Sequence, residues 1–151
     1  MFCYQCEQTA KGTGCTVQGV CGKSPEIAAL QDLLLYSLMG LSQVAVEGRK
    51  VGVSDNDVNV FTVKAAFSTL TNVDFDPDRF VELIQQSIRL REKLKIQVEG
   101  AGGNNGWSDG PAVFQPKTSI EELVKQGEQV GIKSYPGDNP DVLSLKHTVL
   151  Y

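Results

Sequence analysis

Beyond position 21 the chain has no cysteine, and its 151 residues hold one histidine and one tryptophan. Thiol chemistry is therefore confined to the N-terminus, and the lone His147 cannot build a histidine-based metal site by itself. Basic residues are also in short supply: 14 Lys and Arg face 18 Asp and Glu, for a net charge of −4. Binding a phosphate backbone needs a concentration of cations, so nucleic acid is not an expected partner. No run of like charge stands out as a tail or patch. A basic start leading into an apolar core and a small-residue cleavage site is absent too, so no secretory leader is expected. The longest apolar stretch, "IAALQDLLLYSLMGLSQVAV", is interrupted by Gln31, Asp32 and Gln43 and is not expected to span a membrane. With 41% hydrophobic and 21% charged residues, the composition is that of an ordinary soluble domain. The expected location is cytoplasmic, where a reducing environment disfavours structural disulfides and favours metal or redox roles for thiols.

What is present begins with helix signals. Ser24 as N-cap, Pro25 at the first helical position and Glu26 in the first turn open a helix, and Gly48 offers a stop. Ile27, Leu30, Leu34, Leu38 and Leu41 recur on one face. Met39 reads as core, and Gly40 as the place where another helix or the cysteine loop comes close. A second helix is expected from about Asp57 to Leu70 with Val60, Val63, Phe67 and Leu70 on its buried face. A third starts at Asp76-Pro77 and carries Phe80, Leu83, Ile84, Ile88, Leu94 and Val98 at helical intervals. Long helices with short connections describe an antiparallel three-helix bundle.

The expected fold is all-α. Residues 1–23 form a Cys-rich loop, 24–100 the bundle, 101–117 a Gly-rich loop, and 118–151 a short helix and an incomplete final helix. The short helix has Thr118 or Ser119 as cap, Glu121 or Glu122 closing a capping box, and Gly131 at its end. After the turn "KSYPGDNP", the last helix opens at Asn139-Pro140 and carries Val142, Leu145, Val149 and Leu150. It ends on an apolar face with no cap, which is expected of a fragment or of one piece of a larger assembly. "GAGGNNG" follows a helix, lacks a Gly-Lys-Ser/Thr ending and has no flanking strand, so it is not a phosphate loop.

The four cysteines, Cys3, Cys6, Cys15 and Cys21, follow the spacing Cys-x2-Cys-x8-Cys-x5-Cys. Four thiolates in one Gly-rich loop can surround a compact polynuclear core, and the glycines let the backbone curl close enough to direct N–H groups at it. Zinc held by four thiolates is the rival. Zinc modules usually pair two Cys-x2-Cys knuckles, whereas the second pair here is Cys-x5-Cys. Spacing alone leaves both open.

The stretch "MFCYQCEQTAKGTGCTVQGVCGKSPEIAALQDLLLYSLMGLS" closely resembles the N-terminus of hybrid cluster proteins, also called prismane proteins or hydroxylamine reductases. The likeness continues through "FSTLTNVDFDPDRFVELI" and "NPDVLSLKHTVLY", and so covers essentially the whole chain. The resemblance implies that Cys3, Cys6, Cys15 and Cys21 bind a cubane [4Fe-4S] cluster, since family members with this spacing do so; a related group, differently spaced, resembles a [2Fe-2S] holder. It also implies a pair of helical bundles, of which the first is the bundle read above.

Members of that family are several times longer. Two further α/β domains carry an iron–sulfur–oxygen hybrid cluster on additional cysteine, histidine and glutamate ligands. With no fifth cysteine and one histidine, these 151 residues resemble the electron-transfer domain without its catalytic half. Reduction of hydroxylamine or nitric oxide, the chemistry attributed to the family, is not expected of them alone. The implied partners are the missing C-terminal hybrid-cluster domains, in the same or a separate chain, and a soluble electron-donor protein. A short chain that works as a separate small electron carrier is another reading. The alternative from a different class is a structural four-cysteine zinc site, or a redox-silent cluster, stapling a helical interaction module.

Around the cysteines, Lys11 and Lys23 would offset part of a cluster charge of about −2, a modest effect at an exposed site. Glu7, Glu26 and Asp32 read as solvated or capping. His147 reads as a surface or packing residue, and Trp107 as a loop aromatic covering a patch of core.

Overall fold

A computed structural model describes residues 2–3, 5–6, 14–131, 139, 141–142, 145–146 and 149. The expectations for Glu7, Lys11, Gly12, the turn at 133–138, Pro140, His147 and Leu150 fall outside the described residues.

The fold is all-α. Its first helix, α1, runs Pro25–Lys50, and Ser24 Oγ accepts the Ile27 N–H at 3.2 Å to cap it. Glu26 lies in the first turn and Arg49 and Lys50 in the last, each matching the sign of the helix dipole. The expected stripe is buried, and so are Leu33, Leu35 and Val44 on other sides of the helix. Burial nearly all round makes α1 the central helix of the fold. By length and composition it could cross a membrane, yet 72% of that apolar window is buried inside the protein.

Two glycines behave otherwise than expected. Gly48 does not stop α1; it lies within the helix and packs closely against Val98 and Val53. The chain turns at Gly52, whose φ of +78° suits a residue without a side chain. Gly40 does admit a close neighbour, but that neighbour is the backbone of Pro111 in the Gly-rich loop. Met39 beside it is exposed rather than core.

Helix α2 spans Asn56–Leu70, capped by Asp55 Oδ1, which accepts the Asp57 N–H at 2.9 Å. It buries Val58, Phe61, Ala65 and Thr69, not the expected face: Val63 and Phe67 are 70% and 62% exposed. The helix is apolar on two sides, so periodicity offers two stripes. The stripe that includes the short Ala65 and Thr69 side chains is the one that faces in.

Helix α3, Pro77–Gly100, starts as expected, with Asp76 Oδ1 accepting the Asp78 N–H at 3.0 Å. Phe80, Leu83, Ile84, Leu94 and Val98 are buried, and Ile88 is partly so. Arg91 shares that face and is fully buried. Residues 101–117 contain a 3-10 turn, Pro111–Val113, which Arg91 Nη1 grips by donating to the Pro111 carbonyl at 2.9 Å. Phe114 then meets Tyr36 edge to face, with ring centroids 5.4 Å apart.

Helix α4, Ile120–Val130, has Ser119 as its cap, and Glu122 completes the box through its N–H at 3.3 Å and its carboxylate at 2.9 Å. Gly127 lets α4 rest directly on the α1 backbone at Ala29. The main packing of α1 is thus against α3 and α4, with α2 more peripheral. Near the C-terminus Asn139 Oδ1 accepts the Asp141 N–H at 2.7 Å, and Val142, Leu145 and Val149 are helical and exposed. Among the described residues no strand forms.

Candidate metal centre

The segment before α1 is shaped by one pairing. Cys3 and Cys15 form an isolated antiparallel bridge, in which Phe2 N–H donates to the Cys15 carbonyl at 2.9 Å and Cys15 N–H to the Cys3 carbonyl. Two of the four cysteines are therefore side by side before any ion is considered. Gly14, at φ +85°, leads into the bridge, and Gly22, at φ +94°, turns the chain out of the loop toward α1. Between them Gly19 lies against the Lys23 backbone and donates to its carbonyl at 2.8 Å.

All four cysteines are free thiols: Cys15 is buried, Cys3 and Cys6 partly buried, and Cys21 exposed. Burial pushes the Cys3 thiol above its ordinary pKa. The Gln5 backbone N–H and Lys23 oppose that rise, and nearby Cys15 and Cys21 add to it. Cys15 and Cys21 are thus each close enough to act on Cys3. No group of three or more His, Cys, Asp or Glu among the described residues is gathered to hold a single metal ion.

Lys23 corrects the expectation of an exposed, modest charge. It is 1% exposed, with Nζ donating to Gln5 Oε1 at 2.9 Å and lying 4.0 Å from Cys3 Sγ. Asp32 is not a solvated or capping carboxylate either. It is largely buried, and burial raises its pKa to about 7 against the downward pull of Lys23. Gln31, buried beside it, has an Nε2 with no hydrogen-bond partner among the described residues. Cys3, Gln5, Lys23, Gln31 and Asp32 all line one cavity of about 20 Å³, roughly the space of a single water.

This donor set fits a thiolate-bound cluster. Soft sulfur ligands sit on a loop that already brings Cys3 to Cys15, with a buried cation and an unpartnered amide donor on the inner side. The spacing of the four cysteines is visible in the sequence; the buried Lys23, Gln31 and Asp32 beside Cys3 are not. The only available signal was the place of Lys23 two residues after Cys21, because periodicity does not report the burial of a loop lysine.

Two larger grooves carry no such chemistry. One of about 480 Å³ runs between α1 and the Gly-rich loop, past Met39, Val46, Asn104 and Trp107; the other, about 340 Å³, lies between α1 and α2. Trp107 packs half-buried against the core at the first, in line with its reading as a cover.

The chain is thus an all-α domain whose four cysteines precede the first helix, with Cys3 and Cys15 paired through the backbone. Its full length, residues 1–151, matches the Prismane/CO dehydrogenase family, and the chain belongs to that family. It is 61% identical over 151 residues to a hydroxylamine reductase of Syntrophobacter fumaroxidans and 53% identical over 153 residues to one of Methanocella arvoryzae. A hydroxylamine reductase of Solidesulfovibrio magneticus is 45% identical over 152 residues. All of this chain is covered in each case, but it spans only 27–28% of those relatives' length.

Proposed function

We propose that this chain is the [4Fe-4S] electron-transfer domain of a hydroxylamine reductase-like oxidoreductase, and is not catalytic by itself. The observation that carries the reading is the pairing of Cys3 with Cys15 inside the Cys-x2-Cys-x8-Cys-x5-Cys loop, with the Lys23 ammonium against Cys3. Cys3, Cys6, Cys15 and Cys21 would hold the cluster, which supplies one-electron redox chemistry when bound. The residues around it have separate tasks. The bridge holds Cys3 at Cys15, Lys23 anchors Gln5 and supplies positive charge, and α1 fixes Gln31 and Asp32 behind them. The exposure of Cys21 gives one edge of the site to solvent, which suits docking of a soluble donor.

In the complete protein, the remaining domains would reduce hydroxylamine or nitric oxide at a hybrid cluster whose ligands lie outside these residues. All four cysteines here are committed to the loop, and one histidine is left. A cytoplasmic location belongs to this reading, because a reducing compartment keeps the thiols available.

The test is iron, zinc and acid-labile sulfide content of protein purified without oxygen. About four iron and four sulfide per chain is the expected result. About one zinc without sulfide would make the site a structural staple and overturn the proposal. Cys3→Ser and Cys6→Ser should each strongly reduce iron content; unchanged iron would sink the ligand assignment.

A further inference from the structure

Lysine side chains seldom lie fully inside a protein, because the stem can pack on apolar surface while the ammonium stays in water. Lys23 does the opposite. It is 1% exposed, and among the described residues its Nζ has one close acceptor, the neutral amide oxygen of Gln5 at 2.9 Å. No carboxylate closes an ion pair on it among the described residues. Asp32 acts on it electrostatically from farther away. A buried ammonium without an anionic partner is costly. Among the described residues, the group able to carry negative charge that lies against it is Cys3, whose sulfur is 4.0 Å from Nζ. Gln31 lines the same cavity and adds its Nε2, a second donor with no acceptor among the described residues. A cation and a free N–H behind one cysteine form a seat for an anion.

We infer that Lys23 is the internal counter-cation of the cysteine-bound cluster and holds its reduction potential up. The inference rests on the proposed cluster and adds a named residue to it. Reduction adds one negative charge to the cluster, and a fixed positive charge nearby stabilises the reduced form more than the oxidised one. Removing that charge moves the potential negative. The action is electrostatic and involves no bond to the cluster, so Lys23 is a tuning residue, not a ligand.

The experiment is a potentiometric titration at one fixed pH, followed by electron paramagnetic resonance, on the chain with iron and sulfide incorporated without oxygen. Lys23→Met should lower the midpoint by about 59 mV, a tenfold change in the oxidised-to-reduced ratio at fixed potential. Lys23→Arg, which keeps the charge, should stay close to the parent. A Met variant with full iron content and an unchanged potential would overturn the inference. Should the Met variant lose its iron, Lys23→Gln is titrated in its place and read the same way. Loss of iron in both neutral variants with retention in Arg supports a required counter-charge; loss in all three assigns Lys23 a packing role and overturns it. Absence of iron and sulfide from the parent chain defeats the cluster proposal itself, and is told apart because no variant need be made to see it.

Discussion

The guanidinium of Arg91 donates to the carbonyl of Pro111 at 2.9 Å from a position with no solvent exposure. Twenty residues separate the two, and the bond fastens the Gly-rich segment to α3. Its Nε also donates to Glu92 Oε1 at 2.8 Å. Arg91→Met should therefore destabilise the chain by about 2–4 kcal/mol, from the lost charged hydrogen bonds and a carbonyl left short of a donor. Urea unfolding measures it. Lysine at this position should recover only part, since it lacks the planar fork that serves two acceptors at once.

Gly40→Ala offers a sign test. On helix propensity alone, alanine should stabilise a mid-helix glycine position by up to about 1 kcal/mol. A Cβ at Gly40 would overlap the Pro111 carbonyl, which is backbone and cannot swing aside. The expected outcome is a lower melting temperature. A rise would mean that the loop does not press on α1 there.

The two faces of α2 should respond differently. Phe61 packs in the core, and Phe61→Ala should cost about 3–5 kcal/mol. Phe67 is 62% exposed, so Phe67→Ser should change the stability of this chain by no more than about 0.5 kcal/mol. Equal losses in denaturant titrations would restore the face that simple periodicity selects.

Asp32 makes stability fall with rising pH. Burial holds its folded pKa at about 7, while an aspartate in an unfolded chain titrates near 4. Between those values the folded state binds more protons than the unfolded one. The contribution is whole below about pH 4 and is lost as pH rises through about 7, a change of a few kcal/mol. Asp32→Asn should flatten the profile, gaining on the parent at pH 8 relative to pH 5. Parallel stability profiles for the two proteins would show that Asp32 is not held protonated.

Helix starts were the most legible part of the fold, because Ser24, Asp76-Pro77 and Ser119 cap by local chemistry that needs no tertiary partner. The four thiols of the site were legible for a similar reason, as spacing is a local property. Which face of α2 turns inward was not, since two apolar stripes compete and only the neighbouring surface chooses between them. Gly40 signalled a close approach without naming the partner, which comes from a loop 71 positions on in the sequence. Burial of Lys23, Asp32 and Arg91 was invisible for a related reason. Charged residues are assigned to water by composition, and only packing from distant elements can take them out of it.

The Cys3–Cys15 bridge is a main-chain pairing. Joining two points of a flexible chain costs entropy, and the hydrogen bonds from Phe2 to Cys15 and from Cys15 to Cys3 offset part of that cost. Because main-chain groups make the pairing, it should outlast Cys3→Ser. Loss of iron in that variant would then report a missing sulfur and not a collapsed loop.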